Sequence, residues 1–125
     1  MNLVYIENDN LIRNKSFEFA LDIIGLYKQI IEQKEFVLSK QLLRSGTSVG
    51  ANVEEAIGAH SKKDFISKMI IAYKEARETR YWLMLFEKSN LVQIDLTDYL
   101  KKSDEIINIL TAIIKTSKAN LENKS

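Results

Sequence analysis

Cysteine and proline are both absent from this 125-residue chain, glycine occurs only four times, and His60 is its single histidine. Without cysteine there is no disulfide, no thiolate nucleophile and no ordinary structural zinc site, a composition that suits a reducing compartment. Without proline no stretch is barred from a helix interior, because proline is the residue that removes a backbone donor and clashes with the preceding turn. The first ten residues carry Glu7 and Asp9 and lack a basic segment followed by an apolar run, so no secretory signal is read and the expected location is cytoplasmic. No apolar run is long enough to suggest a membrane span. An excess of one charge is missing too: 18 Lys and Arg against 17 Asp and Glu leave a net charge of +1. Nucleic-acid binders usually carry a strong basic balance or a basic stripe, so overall charge does not argue for one.

What is present is 46% hydrophobic and 28% charged residues, the balance of a soluble globular chain, and the length fits one domain spanning 1–125. The expected fold is all-α, an up-down-up-down antiparallel four-helix bundle, because apolar residues recur at spacings of three and four in four segments joined by short connections. Residues 1–13 show no sustained period and are read as an irregular arm. Helix 1 is expected over about 16–33, with Phe17, Ala20, Leu21, Ile24, Tyr27 and Ile31 on its inward face. Gly25 inside it costs up to about 1 kcal/mol relative to alanine, and the expected compensation is close packing against a neighbour.

Helix 2, about 39–59, is expected to start at an N-cap Ser39 and to turn Leu42, Ser45, Val49, Asn52 and Ala56 inward. With Gly46, Gly50 and Ala51 nearby, this is a thin helix that lets another backbone come close. Helix 3, about 62–88, opens with Ser61 and Asp64 in a capping-box layout and carries Phe65, Met69, Ala72, Ala76, Thr79, Leu83 and Phe86 inward. A second apolar set, Ile70, Ile71, Tyr81, Trp82 and Leu85, does not fit that row. A helix apolar on more than one face needs more than one partner, so this set is the expected oligomer interface. Asp95 and Asp98 repeat the capping arrangement at the start of helix 4, about 96–118, whose inward row is Leu96, Tyr99, Ser103, Ile106, Leu110 and Ile113, widened by Leu100, Ile107 and Ile114. Residues 119–125 are read as a frayed tail.

Chemistry-bearing patterns are sparse. Helical bundles host di-metal centres through Glu-x-x-His motifs, and Glu54 and Glu55 stand six and five positions before His60, the wrong spacing. His60 is read as a solvent-facing residue at a helix end, and no metal or cofactor is expected. Glu75 and Glu78 are spaced to project together, but Arg77, Arg80 and Lys74 lie close enough to neutralise them, so ion pairing is the expected role. No serine has a histidine to activate it and no glycine pattern matches a phosphate loop, so the chain is read as not an enzyme. The polar row Arg44, Ser48, Asn52 and Glu55 partly faces the core and is expected to form a structural network with Glu78, Thr79 or Arg80.

The segment LLRSGTSVGANVEE (Leu42–Glu55), followed by SKKDFISKMIIAYKEARETRYWL (Ser61–Leu83), resembles the 23S rRNA intervening-sequence proteins, and the likeness spans Phe17 to Ile114. That resemblance implies a bacterial four-helix bundle protein that assembles into a homopentamer ring, with no enzymatic activity and an unresolved molecular role. The accessory protein of diversity-generating retroelements looks like a relative and binds nucleic acid through a basic pentamer. The expected function is therefore a non-catalytic homo-oligomeric scaffold, with an RNA-binding or other nucleic-acid-binding module as the alternative. Lys62, Lys63, Lys68, Lys101 and Lys102 are the candidate nucleic-acid contacts, although the chain has no basic run longer than two residues. No membrane partner and no small-molecule substrate are expected.

Overall fold

The computed structural model describes the backbone of residues 3–123 and the side chains of residues 10–123. Four helices make up the fold: α1 (Leu3–Glu32), α2 (Leu38–Ile57), α3 (Lys62–Ser89) and α4 (Thr97–Glu122). Among the described residues there is no strand. Backbone approaches link α1 with α2, α2 with α3, α3 with α4 and α4 with α1, while none crosses a diagonal, so α1 stands opposite α3.

The two ends of the chain differ from expectation. Residues 3–13 are helical rather than an irregular arm, and the reading of Met1 and Asn2 lies outside the described residues. No glycine or proline precedes Gly25 to stop a helix, and Ile12 adds a turn to the buried row Ile12, Ser16, Phe19, Ile23, Leu26 and Ile30. The expected inward row was one position out of phase. Phe17 is 65% exposed and Leu21 54%, and Ala20, Ile24, Tyr27 and Ile31 lie half-buried on the flanks. Both rows have three-four spacing, and Ser16 breaks the apolar run of the true one, which is why periodicity alone chose its neighbour. At the other end α4 runs to Glu122 rather than stopping near Lys118, because Ser117 and Leu121 continue its inward row. The tail reading of residues 124 and 125 lies outside the described residues.

α3 follows expectation: all seven expected inward residues are buried, and the Asp64 amide donates to the Ser61 hydroxyl at 3.1 Å. α2 needs two corrections. Val53, not Asn52, continues the buried row of Leu42, Ser45, Val49 and Ala56. Ser39 is buried inside the helix and is not its cap. Glu35 does the capping from outside: its carboxylate accepts from the amides of Val37, Leu38 and Ser39 at 3.1, 3.0 and 2.7 Å, and the Ser39 hydroxyl donates to the Glu35 carbonyl at 2.9 Å. This satisfies free donors of the first turn with a full negative charge at the positive helix end. Burial pushes the Glu35 carboxyl up, and the hydrogen bonds from Leu38, Ser39 and Val37 outweigh it, so its pKa ends below the ordinary glutamate value.

The glycines position α1 against α2. A Cβ added at Gly46 would stand 2.7 Å from Ile23 Cγ2 and 3.1 Å from Ile23 Cβ, and one at Gly50 would stand 3.3 Å from the Ser16 carbonyl oxygen. Arg13, Ser16 and Ile23 thus meet Glu54, Gly50 and Gly46 in reverse numerical order. Gly25 has no such role, contrary to expectation: nothing lies within 4 Å of its absent Cβ.

Two outcomes follow from these contacts. Gly46→Ala should destabilise the fold, since overpacking a β-branched neighbour costs about 1–3 kcal/mol against a helix-propensity gain of at most about 1 kcal/mol, whereas Gly25→Ala should raise single-chain stability; urea unfolding of the two variants reads the opposite signs. Glu35→Ala should cost about 1 kcal/mol at neutral pH, the usual worth of a cap. Because the folded-state pKa lies below the unfolded one, that contribution is complete above the ordinary carboxylate range and is lost as pH falls through the folded value, so wild type and Glu35→Ala should converge in acid.

Candidate interaction surfaces

The polar seam between α2 and α3 is built outward from a buried contact. The Ser45 and Thr79 hydroxyls lie 2.9 Å apart inside the interface, and Thr79 also donates to the Glu75 carbonyl one turn back at 2.8 Å. Above them Arg44 reaches Glu75 at 3.3 Å and bonds Glu78, whose carboxylate also accepts from the Trp82 indole at 3.0 Å. The hydrogen bond to Glu78 is the main cause of an upward shift in the Arg44 pKa. A guanidinium is charged at any working pH, so the shift gives no proton chemistry; the cluster holds register. Half of the Arg44 side chain is in solvent, which keeps the value of the pair near that of a surface ion pair, about 0–1 kcal/mol.

The expected single network of Arg44, Ser48, Asn52, Glu55 and Glu78 is three separate contacts. Arg44 joins Glu78, the Asn52 amide donates to the Ser48 carbonyl within α2 at 2.8 Å, and Glu55 faces Lys68 at 3.7 Å. Arg77 and Arg80 do not neutralise Glu75 and Glu78 as expected. Arg77 donates to the Tyr73 hydroxyl, and Arg80 crosses to Asp104 on α4 at 2.6 Å. Arg44 from the neighbouring helix takes both acids, a partner that spacing within one helix does not reveal.

The candidate nucleic-acid lysines do not form one patch. Lys62 and Lys63 open α3, and Lys68 is engaged with Glu55. Lys101 and Lys102 lie on α4 beside the Asp104 that meets Arg80, eighteen residues or roughly 27 Å further along α3. Lys102 donates to Asp22 at 2.7 Å, and that hydrogen bond raises its pKa. A different row went unread: Lys63, Lys74, Arg77 and Lys88 share the outward side of α3 with Tyr81. Their spacings of eleven, three and eleven return to one helix face, a signal that a search for adjacent lysines misses.

The expected oligomer set divides. Ile70 and Trp82 pack partly against the core and Leu85 is half-buried, whereas Ile71 is 38% and Tyr81 56% exposed. The Tyr81 and Trp82 rings meet edge to face at 5.1 Å. Sequence reasoning missed the exposed Phe17 and Leu21 on α1 because it had placed them in the core. His60 is exposed, as expected, with Asp64 at 3.6 Å. Among the described residues no three His, Asp or Glu side chains stand together as a metal site, and no helix is long and apolar enough to cross a membrane. A half-open hollow of about 370 Å³ lies between α3 and α4 beside Arg77, Tyr81 and Met84. A smaller one of about 100 Å³ lies between α1 and α4 over the Lys15–Glu105 and Asp22–Lys102 pairs.

This arrangement of helices is matched elsewhere. The 23S rRNA-intervening sequence protein family matches residues 8–112, and the chain belongs to that family. The match includes both segments that carried the resemblance and begins inside α1, within the stretch first read as an arm. A protein of unknown function from the S23 ribosomal protein family of Bacteroides thetaiotaomicron VPI-5482, known as a crystal structure, is 50% identical, with a TM-score of 0.83 over 86% of this chain and 98% of that one. No curated protein matches the chain.

Trp82 is the single tryptophan, so its emission reports on the seam. Glu78→Ala should shift that emission by removing the acceptor of the indole N–H, while Glu75→Ala, which loses only an Arg44 contact, should leave it where it is.

Proposed function

We propose that the chain is a non-catalytic scaffold, an up-down-up-down bundle whose copies associate into a homo-oligomer, with a ring of five as the assembly that family likeness suggests. The observation that carries this reading is the exposure of Phe17 and Leu21 on α1 and of Tyr81 on α3, large apolar side chains on helices that stand diagonally opposite. Exposed apolar groups cost free energy in water that association recovers. The half-burial of Trp82 moves the centre of the α3 surface to Tyr81.

A second reading, an RNA-binding module, is favoured by the outward row Lys63, Lys74, Arg77 and Lys88, which follows α3 for about 38 Å. Cations along one face beside an aromatic ring suit a phosphate backbone and a stacked base. The name of the family and that of the S23 relative point to ribosomal RNA.

Light scattering on the chain at micromolar concentration should give a mass several times that of one copy, with or without added RNA at low salt. A single-chain mass without RNA, together with complex formation when RNA is added, would replace the scaffold reading with the second.

A further inference from the structure

We infer that the outward row Phe17, Leu21 and Gly25 of α1 seats the Tyr81 face of α3 from a second copy, so that subunits join head to tail through two different surfaces. The inference rests on the scaffold reading and names its interface.

Gly25 is the first ground. A helix-interior glycine costs about 1 kcal/mol relative to alanine, and here it stands exposed with nothing within 4 Å of its missing side chain. No contact among the described residues of one chain offsets that cost. Leu21 and Phe17 lie one and two turns before it on the same side, so the bare Cα sits at the end of an exposed apolar row and leaves room for a ring to come close.

Charge is the second ground. Glu18, Lys28 and Glu32 border the α1 row, which leaves that face net acidic, and none of the three makes an ion pair among the described residues. Tyr81 on α3 has Arg77 and Lys74 one and two turns before it, Lys88 two turns after it, and Lys74 likewise has no acidic partner. Two α3 faces meeting each other would bring these cations together, and like charges across an interface are unfavourable. An α3 face meeting an α1 face brings lysine and arginine to free glutamates. The two surfaces lie on diagonally opposite helices, so each copy can use both at once, and such heterologous contacts propagate into rings or filaments.

Leu21→Glu and Tyr81→Glu each place a charge in one surface and leave the other intact. Both side chains are more than half exposed, so each variant should keep its helical circular dichroism. If either loses it, Leu21→Gln and Tyr81→Gln serve in its place. Alone, each variant should stay a single chain at concentrations roughly tenfold or more above those at which the wild type assembles, the effect of losing one central contact. Mixed in equal amounts, they should form a one-to-one pair and nothing larger, because each supplies the surface the other lacks. Wild-type assembly retained by either variant alone, or no pair on mixing, would overturn the inference while leaving the scaffold reading standing. A wild-type chain that never assembles would overturn both.

Discussion

The approach of α1 to α2 at Ile23 and Gly46 is the contact on which the rest of the packing depends. A β-branched side chain lies against a bare Cα, with no space for a methyl group between them. That closeness costs α2 helix propensity at Gly46 and Gly50, and it sets how deeply Phe19, Val49 and Val53 enter the common core. A larger residue at Gly46 would push the two helices apart and open space along the whole row, since well-packed interiors relax only in part.

Once each helix has turned one three-four row inward, the apolar residues left over are decided. Among the described large apolar residues only Ile57 is left exposed on α2 and none on α4, while Phe36, Val37 and Leu91 stand exposed in the connections. On α1 and α3 a second set remains, and because these helices stand across the diagonal, the surplus falls on opposite sides of the molecule. The polar contacts do a different job. Arg44 with Glu78, Arg80 with Asp104 and Lys102 with Asp22 each tie neighbouring helices at the surface. Each is worth little alone, but each penalises a slip in register. The buried Ser45 and Thr79 hydroxyls extend the same constraint inward, where an unpaired group would cost more.

The Leu42 to Glu55 and Ser61 to Leu83 segments that carry the family likeness supply the two sides of the α2–α3 seam, where Arg44 meets Glu78 and Ser45 meets Thr79. The exposed apolar side chains of the helices lie mainly elsewhere, on the outward sides of α1 and α3.

The sequence by itself determined the number of helices, the location of their breaks near Ser61 and Asp95, and the full inward row of α3, because absent proline and three-four spacing leave no other regular structure for those segments. It also carried the family. The phase of α1 was not legible: Ile12 to Ile30 and Phe17 to Ile31 have the same period, and only the position of Gly46 opposite Ile23 selects between them. Nor was the cap of α2, which comes from Glu35 across a reversal at Lys34, where φ is 65°, rather than from the nearest serine. Partners for Arg44, Arg80 and Lys102 come from other helices, tens of residues away in the chain. Period is a property of one helix, and sequence displays it; the phase of α1 and the ion-pair partners depend on what a second helix presents, and only the assembled fold brings that second helix into place.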